Sequence, residues 1–473
     1  MRNPIGLVGF HSFSCINRSK TIPDESRLAG RSQDEYILPI PPASPPLVGE
    51  PYPMTFTWSA LALSIVISAS PGKFDWPGWR GPERDGISKE TGLLKSWPVE
   101  GPTKLWTATG VGGGYCTPSV AAGKIFGLGY INEEEAIWAV DDKTGKVVWS
   151  KVIAAKGKFG HNTGSRSTPS IDGDKLYAVG ISGDLVCMNV ENGEVIWRKN
   201  YDKDFKGKMM SGWGFSESVL IDGDRLICTP GGDMAAIACL DKKDGKVIWT
   251  SVVPNGGGAG YASPMIATVG KTKMYLNWLK SGLIAVDAKD GKLLFKYEKT
   301  RNGTANIPTV IVKGNHVFCS TGYGDGGSAL LELKETESGI AFDEKYYYKS
   351  KQLQNHHGGM VLVGDHIYMG HGHNNGFPAS VKFLTGDLPW GVETRGAGSG
   401  SAAVAYADGM LYFRYQNGVM ALIEANPKEY KLVSTFKLPD QSGQPSWPHP
   451  VIANGKLYIR DQDKMHCFDL KAK

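Results

Sequence analysis

Along most of the chain the apolar residues come in short runs, often alternating with polar ones, and each run stops at Gly, Asp or Asn. Ala139–Trp149, AVDDKTGKVVW, is the clearest example. A period of two bounded by turn residues predicts β-hairpins rather than helices. The phrase returns as CMNVENGEVIW (187–197), CLDKKDGKVIW (239–249) and AVDAKDGKLLF (285–295). Its glycines, Gly145, Gly193, Gly245 and Gly291, lie 48, 52 and 46 residues apart. Asp141 or its equivalent ends one strand, and the glycine supplies the positive φ of the turn. The aromatic that follows (Trp149, Trp197, Trp249 or Phe295) is then expected to pack between neighbouring units.

A second phrase precedes each copy: small residues, an apolar pair, a turn, and an apolar–Tyr strand. It runs from CTPSVAAGKIFGLG (116–129) through STPSIDGDKLYAVG (167–180) to HPVIANGKLYIR (449–460), eight times in all, and continues after the first phrase has decayed. Eight units of four strands, A to D, predict an all-β fold, an eight-bladed propeller. The last unit ends soon after its strand C. The stray strand TKLWTATG (103–110), carrying Trp106, is expected to complete it, so that the ring spans 103–473 and leaves no open edge.

The set Ala139, Asp141, Thr144, Gly145, Lys146 and Trp149 resembles the tryptophan-docking motif of the pyrroloquinoline quinone (PQQ) repeat family. That family includes quinoprotein alcohol dehydrogenases and BamB-type scaffolds. DWPGWRGPERDGIS (75–88) and GHGHNNGFP (370–378) further resemble secreted PQQ-like propellers of planctomycete-type bacteria. For an enzyme, the resemblance implies bound PQQ with a divalent cation, a catalytic Asp and a disulfide of adjacent cysteines. No two of the seven cysteines are adjacent, and there is no CxxC or CxxCH. No catalytic Asp can be placed by motif.

The amino terminus differs from the rest. Residues 1–53 carry no repeat, and Leu38–Pro53 holds seven prolines, so this stretch reads as a disordered or non-native extension. Met54 then opens a segment whose apolar run, Trp58–Ala69, suits the core of a signal peptide over 54–70. A signal anchor is the alternative. Either implies export, periplasmic or extracellular. Residues 71–102 read as an irregular segment. The net charge of +5, with acids and bases interleaved, argues against a nucleic-acid partner, and no apolar stretch is long enough for a stable membrane span. A monomer is expected.

Because the repeat is structural, function must be sought in a site. In a propeller blade the D-to-A and B-to-C loops share one face; the A–B and C–D turns share the other. The D-to-A loops are glycine-rich, yet most carry a bulky polar or aromatic residue. Tyr115, Arg166, Trp213, Glu217, Tyr261, Asn306, His356, His357, Trp447 and His449 are thus candidates to line a channel mouth for a planar anionic ligand or a peptide. The plainer alternative is that the glycines turn the chain and the bulky groups pack beneath. In the sixth unit His356, His357, His371 and His373 are candidate metal ligands, because His-x-His on extended backbone points both rings one way. Two functions follow: an exported scaffold binding a protein, glycan or small ligand at that face, or a PQQ-dependent dehydrogenase of an alcohol or sugar.

Overall fold

The structure is a computed structural model that describes residues 72–472, apart from Lys158, Gly160, His161, Thr163 and Pro439. The expected extension and signal peptide lie outside the described residues. The chain forms an eight-bladed β-propeller of four-stranded blades. The first blade runs from strand A (Ser119–Ala121) through B (Lys124–Ile131) and C (Glu134–Asp141) to D (Val147–Ala155), each antiparallel to the next. In the eighth blade the outermost strand is Lys104–Ala108, paired antiparallel with Lys464–Asp469.

The repeat phrase builds the seams between blades. Asp141 Oδ1 accepts from Thr144 N at 2.8 Å, which tightens the C–D turn, and Gly145 adopts φ 70°. The glycine also faces the aromatic of the preceding blade. A Cβ on Gly145 would come within 2.7 Å of the Trp106 indole, and one on Gly193 within 2.7 Å of Trp149. Each indole N–H donates to a carbonyl of the next blade: Trp106 to Asp142 at 3.0 Å, Trp149 to Val190 at 3.1 Å, Trp197 to Lys242 at 3.1 Å and Trp249 to Ala288 at 3.3 Å. The hydrophobic core is accordingly distributed, with one apolar cluster in each of the eight seams. Cys116, Cys187, Cys228, Cys239, Cys319 and Cys467 sit buried as free thiols within this packing.

Two blades depart from the pattern. The sixth has three strands in its sheet. Its next segment, FLTGDLPW (383–390), is a further copy of the docking phrase that the repeat search passes over. Gly386 N donates to Lys382 O, as Gly145 N does to Asp141 O, and Trp390 donates to Asn426 O at 2.9 Å. Pro389, beside the tryptophan, has no N–H to give to a ladder, which accounts for the missing fourth strand. The seventh blade carries an additional strand, Ile87–Ser88, parallel to its strand A.

That additional strand belongs to residues 75–88, which thread the axis of the ring. Trp76 pairs with Val120 in the first blade, and Pro77 O accepts from Ile171 N in the second. Arg84 donates to Ser218 O and Val219 O in the third, and Trp79 Nε1 to Thr309 Oγ1 ahead of the fifth. Arg80 donates to Met360 O in the sixth. One short segment can touch the innermost strands of so many blades only by lying in the central channel. It enters beside the A–B turns, where Asp75 meets Ala122 N and Asn454, and returns there, where Glu90 accepts from Gly455 N. Residues expected to be irregular are therefore a stopper whose tip is Trp79–Arg84. Beyond it Trp97 fills the seam between blades seven and eight, stacking edge-on to Phe436 at 5.2 Å.

Candidate functional site

A cavity of about 400 Å³ opens on the face of the D-to-A and B-to-C loops. The strands set its walls: each loop enters an innermost strand, so residues two to seven positions ahead of strand A reach the channel mouth. Tyr115, Arg166, Trp213, Tyr261, His356, His357, Trp447 and His449 all line it. The stopper closes it from below with Trp79 and Arg80. Among the described residues no Asp or Glu lines it, so Arg80 and Arg166 leave this lining positive.

Arg166 is fixed by its own loop, donating to Gly164 O at 3.2 Å and Asn162 O at 2.7 Å, and it lies over the Tyr115 ring at 5.3 Å. Trp447 bridges Tyr115 and His357, with ring centroids 4.7 and 4.6 Å away, and donates to Gln416 Oε1 at 2.8 Å. Tyr261 Oη meets Ser211 Oγ at 2.8 Å and accepts from Trp213 N at 3.2 Å. His356 and His357 stack at 3.8 Å, and His373 lies 4.3 Å from His356. Burial, reinforced by the neighbouring His373, pushes His356 down to about 3, and burial pushes His449 to about 3 and His357 well below its usual range. His356, His357 and His449 are therefore neutral at pH 7, and Arg80 and Arg166 bring positive charge to the site.

Three expected residues sit elsewhere. Glu217 turns beneath the loop, where Oε1 accepts from Tyr201 Oη at 2.6 Å and Thr229 N at 2.7 Å. A carboxylate above the channel would have left the Thr229 N–H unpaired. Asn306 is a loop brace, accepting from Asn302 N at 2.9 Å and donating to Leu279 O at 3.0 Å. His371 ends its strand with Nδ1 accepting from Gln354 N at 3.1 Å. The His-x-His reasoning fails there because Gly372, at φ 83°, breaks the extended backbone between His371 and His373. Three imidazoles gather rather than four, and among the described residues no three of His, Cys, Asp and Glu are disposed to hold a metal ion.

The family model described as outer membrane protein assembly factor BamB matches residues 132–380, more than half of the chain. The chain belongs to this PQQ-repeat, BamB-like family. Among its relatives, the outer membrane protein assembly factor BamB of Kangiella koreensis is 27% identical over 218 residues, 44% of this chain and 48% of that protein. That of Shewanella oneidensis is 23% identical over 242 residues, 48% of this chain and 53% of that protein. The chain thus spans about half the length of the curated relatives it matches. The quinohemoprotein alcohol dehydrogenase of Comamonas testosteroni shares the fold at 12% identity and a TM-score of 0.58, over 86% of this chain and 82% of that one. A europium-containing methanol dehydrogenase does so at 10% and 0.58, over 82% and 89%.

The family match excludes much of the cavity: Trp79, Arg80, Tyr115, Trp447 and His449 all lie outside 132–380. Sequence reasoning missed Tyr323, whose ring meets His356 at 4.6 Å and whose Oη meets His357 Nε2 at 3.1 Å. A signal for it was present: TGYGDGG (321–327) and GHGHNNG (370–376) are the same B-to-C loop in successive units. Trp79 and Arg80 carry no such signal, because the stopper belongs to no repeat.

Proposed function

We propose that this BamB-like propeller is an exported binding scaffold, and that its ligand, or a segment of a protein partner, enters the cavity at the loop face. The observation that carries this reading is the lining: six aromatic side chains, two arginines and no carboxylate around about 400 Å³. Apolar walls with a few fixed polar groups are what a binding pocket needs. The names of the relatives, outer membrane assembly factors, support a protein partner and a place outside the cytoplasm. The Trp58–Ala69 run supports export. Among the described residues no helix is long and apolar enough to cross a membrane.

The dehydrogenase reading has the shared fold on its side. The cavity suits an anionic ring system such as a quinone. It offers no carboxylate to ligate a divalent cation or take a proton from an alcohol, and the cysteines flank no site as an adjacent pair. The donor set therefore fits binding better than cation-assisted oxidation.

Photo-crosslinking in the source cell tests the scaffold reading. A photoreactive residue replacing Trp447 should give a discrete adduct that the same residue at Val148, on the exposed outer edge of the first blade, does not. Adducts confined to Val148 would overturn it.

A further inference from the structure

We infer that the stopper supplies an anion anchor at the bottom of the cavity, with Arg80 receiving a carboxylate carried on an aromatic or apolar body. This rests on the cavity being a binding site and says which chemical group goes to its floor.

Arg80 is only 4% exposed. Its Nε donates to Arg84 O at 3.2 Å, and Nη2 donates to Asp85 O at 2.8 Å and to Met360 O. Among the described residues Nη1 has no hydrogen-bond partner, and it opens on the cavity. A guanidinium N–H that faces the cavity without a protein acceptor is free to bond a ligand, and an ionised acceptor makes the strongest such bond.

The space before Nη1 is kept open by a glycine. A Cβ on Gly359 would stand 2.5 Å from Arg80 Nη1 and 2.7 Å from His449 Cε1. The His449 ring packs on Trp79 at 4.7 Å, and Trp79 is itself pinned to Thr309 at 2.9 Å. The pit is thus rigid on each side.

The charges around it leave room for one anion. Asp85, behind Arg80, forms no ion pair with it, and its Oδ1 accepts from Ile87 N at 2.9 Å. The other charged groups near this end are Arg166 at the rim, Arg84 in the stopper with Glu217 facing it, and Arg414 beneath His449. His449 and His357 are uncharged here. One free nitrogen, with no lysine among the described residues of the lining, matches a carboxylate rather than a phosphate. The walls above the pit, among them Trp213, Tyr261, Tyr323 and Trp447, set the apolar body.

Two sources carry this chemistry: a small aromatic acid, or the free carboxyl end of a polypeptide. The test titrates the purified protein, by calorimetry and tryptophan fluorescence, with two matched pairs. One pair is 3-phenylpropionate and its amide; the other is a short peptide ending in phenylalanine, as the free acid and as the C-terminal amide. In at least one pair the acid should bind about tenfold or more tightly than the amide, and that pair identifies the source. Arg80→Gln should reduce the acid to the level of its amide. Gly359→Ala, which keeps the charge but fills the pit, should do the same without loss of the fold. Equal binding of acid and amide would overturn the anchor while leaving the cavity a binding site. No binding by either pair would also overturn it, and the crosslinking experiment then decides separately whether the cavity binds at all.

Discussion

Trp149 and Trp447 are the same residue doing opposite work. Trp149 is buried in the seam between the first two blades, lies on Gly193 and donates to Val190 O. The glycine beneath it and the carbonyl it meets recur in other seams of the ring. Trp447 stands half-buried at the cavity mouth between Tyr115 and His357, and its neighbours occur once. Repetition marks what every blade requires, which is docking. What a single site requires is written once.

Truncating the two tryptophans breaks the comparison most sharply. Trp149→Ala should cost about 3–5 kcal/mol in urea unfolding, because a large buried side chain and its hydrogen bond are both lost. Next comes Glu135, which lies under the Arg166 loop: its carboxylate accepts from Ser165 Oγ at 2.7 Å and Ile181 N at 3.0 Å, and burial raises it to about 7. Its folded value lies above the unfolded one, so the stability it contributes is present below about pH 4.5 and lost as pH rises through 7. Glu135→Gln should therefore gain on the wild type as pH rises from 5 to 9, by up to about 3 kcal/mol, read as melting temperature against pH. A constant difference across that range would show that Glu135 is not held protonated.

Gly193→Ala sharpens the seam side. It forces a Cβ against Trp149 at φ 71° and should cost about 1–3 kcal/mol, while leaving the cavity's ligand affinity unchanged. Trp447→Ala should have the smallest effect on stability, about 1 kcal/mol, since the ring is partly exposed. It should nevertheless abolish adduct formation by a photoreactive group placed at Tyr115. If Trp447→Ala destabilised as much as Trp149→Ala, the mouth would be packing rather than site.

The ring was readable in the chain because hairpins, turn glycines and docking aromatics obey a period, and eight copies average out local exceptions such as Pro389. The cavity was half readable. Knowing which loops share a face was enough to nominate Tyr115, Arg166 and Trp447. It could not say which side chains turn inward: Glu217 turned away to satisfy Thr229, and Gly372 separated His371 from His373. The stopper stood out as a phrase, DWPGWRGPERDGIS, but its place in the channel was not readable. Trp79 and Arg80 are placed by contacts nearly 300 residues distant, such as Arg80 with Met360, and no local pattern encodes those.

The strand Lys104–Ala108 and the stopper before it have a consequence in time. Their partners include Met360, Tyr406 and Lys464–Asp469, so these residues must wait for partners that emerge hundreds of positions later. Loop closure over such a separation is entropically costly and slow. The floor of the cavity is consequently complete only when distant blades have closed on it, and a ligand that reaches that floor would be recognising a finished ring.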